Sequence, residues 1–499
     1  MSLKNNLIAG YASQIVTTAL GILTVPILIS LMGVESYGLI GLFVVLQGWF
    51  ALLDAGFSPA LARESSRLSA GVVSIEQYNM LSRRIALLFF IVGAFICAIV
   101  ILASQTVASQ WLAPNQLSEA AVANALVLMA PSLGIRFSSS FYRAIISGFE
   151  RLVWLSTIST MIALARFFLV IPLLYYYKSS VSTYFIYQLI VSILEICLLR
   201  YKAISIKCNI ESNNNSYEDI DTGKFFRFAA SFGFATIAWV FVSQSDRLIL
   251  SAILPLADYG TFTVITLAAS AVMLIASPTG SVIIPRLTHL YAQARYADVL
   301  EVYTLSARYV AMGSALFASV LMLNSHDVLF AWTGKHNIAS NGHVLSLYSA
   351  GNAILTMTGF AMFIQSAVGN VQVHLRGQIA FALLIVPFIT ISALKYGMTG
   401  AGAAWFIGNL VYFIIYVPLV HKIYLPGQHR RWLTNITIAM CPSLISISFL
   451  RLIISPATSR IECLLNITAA VIVGAVASII ALPWLRAGVT QIVKNKGRA

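Results

Sequence analysis

The chain has little charge. Of its 499 residues only 10% are Asp, Glu, Lys or Arg, against about 25% in a soluble globular domain, while 59% are hydrophobic. So few charged groups cannot cover the surface of the two or three soluble domains that this length would suggest. Cysteine is scarce: Cys97, Cys197, Cys208, Cys441 and Cys463 are odd in number and dispersed. That excludes a disulfide framework and a thiolate metal site, and leaves small, polarizable packing residues. With 30 Gly and 14 Pro the chain is neither collagen-like nor low-complexity. No Gly-x4-Gly-Lys-Ser/Thr segment occurs, which excludes ATP hydrolysis by this chain. None of the 7 histidines forms His-Glu-x-x-His or a comparable ligand pair. Acid is scarcer than base, 17 residues against 31, for a net charge of +14. With a mean hydropathy of +0.86, what remains is a polytopic membrane protein.

A bilayer core needs about 20 apolar residues per helix. Apolar runs of that length occur at 7–32, 37–62, 84–104, 119–149, 152–176, 181–200, 225–254, 256–285, 303–323, 343–370, 376–395, 399–420, 434–454 and 463–485. Long runs rather than ten-residue alternation point to helices and not a β-barrel, so an all-α protein of about 14 transmembrane helices is expected. Orientation follows from Lys and Arg in the loops. With the N-terminus in the cytoplasm, 22 of the 31 lie in cytoplasmic loops and only Lys178, Lys335, Lys395 and Arg460 lie outside. Both termini are then cytoplasmic, and the nucleic-acid reading of a basic chain falls away. The first apolar run has no small-residue cleavage site and reads as its own insertion signal. Asn435-Ile-Thr437 and Asn466-Ile-Thr468 lie inside spans and read as chance glycosylation matches.

The longest polar stretch, 201–224, contains the acidic, Asn-rich segment Glu211 to Asp221 and reads as a linker. It divides an N-terminal six-helix lobe (1–200) from a C-terminal one (225–422), with two further helices and a tail at 423–499. An echo supports the division. Glu35-Ser-Tyr37-Gly38 follows the first span, and Asp258-Tyr259-Gly260 follows the seventh, 222 residues later. Two repeats of one orientation imply a pseudo-twofold axis along the membrane normal, an architecture that carries substrate between its halves. The competing reading is a chance match of four residues.

Ionisable residues inside spans carry most of the information, since each costs about 2.5–3.5 kcal/mol at the helix centre on insertion scales. They are Arg136, Arg143, Arg166, Arg247 and Arg451, against Asp54, Glu195 and Asp246. Arg136, Ser139/Ser140, Arg143, Ser147 and Glu150 share a helical face, and Ser159 shares one with Arg166. Arginine keeps its charge and holds phosphate with a planar fork of donors, so this basic, hydroxyl-rich wall suits a phosphate or pyrophosphate crossing the bilayer. The alternative is arginine paired to acid between helices. Arg451 reads as a snorkelling residue. Glu195, five residues before Arg200, reads as structural and near the cytoplasm. Asp246 and Arg247 are adjacent in the seventh span, so each needs a partner elsewhere, with Arg247 a candidate for the path. Asp54 is either a proton- or cation-coupling or gating carboxylate or half of a structural pair. Gln14 with Thr17/Thr18, Thr266 with Ser270, and Asn352 with Thr356 form polar stripes that suit sugar hydroxyls or, equally, helix packing. Pro26 and Pro278 are candidate mid-span breaks.

With the turn Glu35-Ser-Tyr37-Gly38, the segment Asp246-Arg247-Leu-Ile-Leu250 with Asp258-Tyr259-Gly260 behind it, and Gly400-Ala-Gly-Ala-Ala404 opening the twelfth span, the chain resembles the polysaccharide-exporter flippases of the MATE-like MOP superfamily, in particular O-antigen (Wzx-type) flippases. The resemblance implies two six-helix lobes and alternating access. It also implies a cationic path that passes an undecaprenyl-pyrophosphate-linked oligosaccharide from the cytoplasmic to the periplasmic leaflet of a bacterial inner membrane. Coupling to a proton or sodium gradient is expected, with no other cofactor or metal, and with polymerase and chain-length proteins of the same route as possible partners. Asp246 and Arg247 occupy matching positions; Arg136, Arg143 and Arg166 are assigned from the residues alone. Lipid II flippases are similar in span count but place arginine in the first helix, where this chain has no basic residue between Lys4 and Arg63. A multidrug/cation antiporter on the same fold would want dominant acidic residues in the path. A membrane glycan polymerase would want a substantial outer loop.

Overall fold

The computed structural model describes residues 3–112, 114–177, 180–208, 221–274, 277–455 and 457–482. Among these residues there is helix and turn but no strand. In chain order the helices are α1 (Leu3–Phe50), α2 (Phe57–Ser69), α3 (Ile75–Thr106), α4 (Glu119–Gly148), α5 (Leu152–Leu164), α6 (Val170–Tyr176), α7 (Val181–Cys208), α8 (Thr222–Ile253), α9 (Leu256–Leu274), α10 (Ser277–Ala292), α11 (Tyr296–Leu323), α12 (Ser325–Thr333), α13 (His336–Ala339), α14 (Gly342–Val368), α15 (Gln372–Tyr424), α16 (His429–Ile453) and α17 (Arg460–Ala481).

Two helices are too long for one crossing. The 48 residues of α1 and the 53 of α15 would each extend beyond about 70 Å at 1.5 Å per residue, more than twice a hydrocarbon core of about 30 Å. Each is broken at a glycine, Gly33 (φ 85°, ψ 163°) and Gly397 (φ 56°, ψ −137°), in backbone regions where a side chain would clash. At Gly397 the chain reverses: a Cβ on Gly400 would lie 2.0 Å from the Ser392 carbonyl, and one on Gly408 2.2 Å from the Ile385 side chain. Those pairings are those of an antiparallel helical hairpin. Ten described helices are long and apolar enough to cross a membrane. With α1 and α15 each holding two legs, and with the polar-interrupted α7 and α8, the expected set of about 14 spans is accounted for.

Several boundaries differ from the expected ones. Pro26 does not break the first span; its helix is continuous to Gly33. The second span breaks instead at Ala55 (φ 45°) and Gly56 (φ 79°), after the tight turn Ala51–Asp54. The eighth span is α9 and α10, described to Leu274 and from Ser277, with Pro278 in the first turn of α10. The first residues of the expected linker, 201–208, belong to α7, while 209–220 lie outside the described residues. The outer stretch 324–342 folds into the short helices α12 and α13.

The chain forms two compact units, 1–263 and 264–499. The first therefore holds α8 and the first turns of α9 together with the first six spans, and its close contacts show why. A Cβ on Gly56 would sit 2.1 Å from the Ala229 carbonyl, and one on Gly233 2.8 Å from the Ala55 carbonyl, so α8 and the start of α2 touch backbone to backbone. The two echo turns meet in the same way: a Cβ on Gly38 would lie 2.7 Å from the Leu256 carbonyl, and one on Gly260 2.2 Å from the Val34 carbonyl. Tyr37 and Tyr259 are both buried there. The two acids differ. Buried Glu35 accepts backbone N–H bonds from Asn115, Gln116 and Leu117 (2.5, 2.7 and 3.0 Å), whereas Asp258 is exposed.

In the second unit α11, α14, α16 and the end of α15 enclose Tyr303, Phe360, Val417 and Trp432. The C-terminal pair is tied to this unit by charge. Asp327 of α12 is 1% exposed and receives Arg451 Nη1 at 3.0 Å and Asn466 Nδ2 at 3.3 Å. Arg451 is thus an ion-pair residue rather than a snorkelling one; its partner lies in an outer stretch that reads as a simple turn in the sequence.

Gly260→Ala places a methyl on the Val34 carbonyl. The expected result is a loss of about 1–3 kcal/mol, the usual cost of overpacking, read as a lower thermal midpoint of the detergent-purified protein. The same change at Gly10, where no atom lies within 4 Å of the added Cβ, is expected to be neutral.

Candidate functional site

The site is built on α4. Ser118 starts this helix by accepting the Ala121 N–H, which is the usual N-cap geometry. Two small residues then let its neighbours close in. Gly134 and Gly93 of α3 each approach the other's carbonyl (2.3 and 2.7 Å from the added Cβ), and a Cβ on Gly148 would lie 2.3 Å from the Ala62 carbonyl. Between Gly134 and Gly148, burial leaves Ile135, Arg136, Ser140, Arg143 and Ser147 half-exposed. The 4-3-4 spacing of the four polar residues is one helical face. Ser139 is buried off that face and donates to the Ile135 carbonyl, and Glu150 is exposed beyond the helix end.

Arg166 lies in a π-helical turn, Ala165–Leu169, between α5 and α6. Proline at 172 cannot donate to the carbonyl of residue 168, which favours the wider turn there. Two carbonyls of the turn find partners on α7: Tyr187 donates to Ala165 O (2.8 Å) and Gln188 to Arg166 O (3.2 Å). The turn aims Arg166 at Glu195, 3% exposed in the middle of α7. Glu195 accepts from Arg166 on one carboxylate oxygen and from Arg143 on the other. Arg143 also donates to Ser159 Oγ at 2.9 Å. The Arg166 Nε is buried and has no hydrogen-bond partner among the described residues. Arg136 lies over the Phe43 ring, 5.1 Å from its centroid, and among the described residues no acid or hydrogen bond reaches it. Two cations therefore share one carboxylate, and a third on the same face of α4 is paired with no acid among the described residues.

The other candidates lie elsewhere. Arg247 is half-exposed, close enough to Tyr37 and Tyr259 to act on both electrostatically. Asp246 is 4% exposed, and one of its oxygens accepts the Arg247 N–H at 2.8 Å. Asp54 accepts the Ser58 N–H (3.0 Å) and hydroxyl (3.1 Å) on the same oxygen, so it caps the start of α2, and no basic side chain pairs with it among the described residues. Gln14 is exposed on α1. In the second unit Asn352 donates to Ala269 O (2.9 Å) and accepts from Trp405 Nε1 (3.0 Å), and Thr356 donates to Asn352 O (2.8 Å). Both are buried with these groups engaged inside the protein. Glu195, which the sequence marks as structural, is so placed: its partners lie on α4 and in the turn after α5, which its spacing to Arg200 does not reveal.

A family model described as polysaccharide biosynthesis protein matches residues 3–291, more than half of the chain and all of this site. The chain belongs to the polysaccharide biosynthesis protein family. No curated protein matches it. The solved structures similar to this polysaccharide biosynthesis protein include the lipid II flippase MurJ in an inward closed conformation, at a TM-score of 0.72 and 14% identity over 96% of this chain and 98% of that one. They also include an inward-facing multidrug resistance MATE family transporter of the MOP superfamily (0.59, 16%, covering 84% and 96%). A third is a MOP superfamily transporter from Pyrococcus furiosus (0.57, 14%, covering 84% and 95%). At these identities the likeness is one of fold, and the fold is that of the MOP superfamily.

Glu195→Gln removes the only counter-charge that two arginines of the site have among the described residues. Breaking a buried pair in this way costs about 3–5 kcal/mol, so a clear fall in the thermal midpoint of the purified protein is expected. Arg136→Ala deprives no acid of a partner, and its midpoint is expected to stay near that of the parent.

Proposed function

We propose that this polysaccharide biosynthesis protein is a flippase for a polyprenyl (undecaprenyl) pyrophosphate-linked oligosaccharide, such as an O-antigen repeat unit. It would carry that lipid from the cytoplasmic to the periplasmic leaflet by alternating access. The observation that carries the reading is the face of α4 on which Arg136 has no acidic partner among the described residues, while Arg143 and Arg166 divide one carboxylate between them. An excess of two positive charges across these neighbouring helices suits an anion that spends its crossing there, and a guanidinium fork matches phosphate oxygens. Ser140 and Ser147 on the same face add hydroxyls for the sugar. Glu195 keeps Arg143 and Arg166 in place when no substrate is bound.

The family supports a role in polysaccharide supply, and the MOP fold supports transport rather than chemistry. Asp54 and Asp246 are the carboxylates available for coupling to a proton or sodium gradient; Asp54 keeps one oxygen clear of its capping bonds. The protein would lie in a bacterial inner membrane with both termini in the cytoplasm, supplying polymerase and chain-length proteins on the far side. A multidrug antiporter is the second reading, motivated by the MATE neighbours. Those neighbours cover 84% of the chain against 96% for MurJ, a difference comparable in size to the C-terminal helix pair, and the cationic site disfavours a cationic drug.

Arg136→Ala is the cleanest test, because no acid loses its partner. At matched membrane levels it is expected to cut surface O-antigen display at least tenfold, the effect of about 1.4 kcal/mol. Arg136→Lys should retain part of the activity, since the charge stays and the fork is lost. Together with Arg166→Ala, display should vanish. Full display by Arg136→Ala at the parent level, or a broadened drug-resistance profile on overexpression, would sink the flippase reading.

A further inference from the structure

The α15 hairpin carries a cleft unrelated to the arginine face. Its legs, 372–396 and 398–424, are held together near the bend by Gly400 and Gly408, as described above. From Gly408 towards the other end, the two legs together line an apolar cleft of about 720 Å³. Ala380, Leu384 and Phe388 line one leg, and Val411 and Ile415 the other. The legs touch along its wall: a Cβ on Gly377 would lie 2.9 Å from the Tyr416 ring and 3.0 Å from Tyr412 Oη. Phe381, Tyr412 and Tyr416 stack face to face along one wall, with ring centroids 4.4 and 4.8 Å apart. The Tyr412 hydroxyl is buried with no partner among the described residues. The hairpin packs against α14 and α16 within its own unit, and the cleft rim is outward: Leu384 is 71% and Ile415 64% exposed. In a membrane such a surface faces lipid.

One end of the cleft is charged. Arg376 lines it, is exposed, and meets no acid or hydrogen-bond acceptor among the described residues; Lys422 stands at the same end of the other leg. The loop-charge asymmetry puts that end in the cytoplasm. From Arg376 to Phe388 the helix rises about 18 Å, close to one leaflet of a hydrocarbon core of about 30 Å. That depth fits the acyl chain of a single-leaflet lipid better than a long polyprenyl tail. We propose that this cleft binds an anionic glycerophospholipid of the cytoplasmic leaflet, with an acyl chain between the legs of α15 and the phosphate on Arg376.

Native mass spectrometry of the detergent-purified full chain, titrated with dioleoyl-phosphatidylglycerol or dioleoyl-phosphatidylcholine, tests this. The anionic phosphatidylglycerol should bind saturably and more tightly. Arg376→Gln should weaken it about fivefold, the contribution of one basic residue at a membrane surface, and abolish the preference. Ala380→Trp, which fills the cleft from an exposed position, should remove saturable binding of both lipids. Unchanged thermal midpoints without lipid establish that both variants fold, and Arg376→Gln decides alone if the tryptophan does not fit. Equal binding of the two lipids overturns the proposal, as does an Arg376→Gln variant that keeps the preference. Displacement of phosphatidylglycerol by undecaprenyl phosphate at lower concentration would assign the cleft to the substrate tail instead. Loss of display in Arg136→Ala with lipid preference intact separates this site from the arginine face.

Discussion

A charge inside a membrane span has no water to turn to, and the first unit is arranged around that fact. Glu195 stays compatible with the middle of α7 because two guanidinium groups reach it. Arg143 brings α4, and Arg166 brings the π-helical turn between α5 and α6. Three helices are thereby joined at one carboxylate. The pairing has a second consequence. Two arginines cannot both be neutralised by one acid, and Arg136, on the same face of α4 as Arg143, has none among the described residues, so the region keeps a positive excess. The ionic contact that holds these helices together also leaves a surface suited to an anion.

The other constraint is close approach. Without a hydrophobic drive between helices in lipid, small residues decide which helices touch. Gly38 with Gly260, Gly56 with Gly233, and Gly93 with Gly134 each bring backbones within reach of one another. The first two pairs explain why α8 and the start of α9 belong to the compact unit of the first six spans. They also give the echo of two Tyr-Gly turns a physical meaning. Each glycine is small because the other turn occupies the space a side chain would fill. The acids beside them diverge, one serving as a clamp on the 115–117 loop and the other facing outward, so only the contact-forming part of the motif repeats.

Much of this was legible in the chain. The spans, the break between paired spans near residue 35 and the basic, hydroxyl-bearing face of α4 all follow from run length and helical period. Less legible were the roles of individual polar groups. Asn352 and Thr356 have the spacing of a polar stripe, but that spacing is the same whether a stripe lines a path or packs between helices, and here Trp405 and Ala269 engage the asparagine. Asp54 is a helix cap because the span breaks at Ala55 and Gly56, a break that proline content does not announce. Arg451 finds Asp327 only because residues 325–333 coil into a helix.

What the sequence by itself determined is that the chain is a multi-pass helical membrane protein whose apolar runs hold more arginine than acid, since hydrophobicity and charge count act locally and need no partner. What only the tertiary structure decided is which of those charges are compensated. The partners of Glu195 lie 52 and 29 residues away, on helices whose lateral order and rotation no period records. One of the two is turned into place by a π-helical turn at Arg166. Pairing in a low-dielectric medium is a matter of a few ångströms between side chains of different helices, and that distance is set by packing.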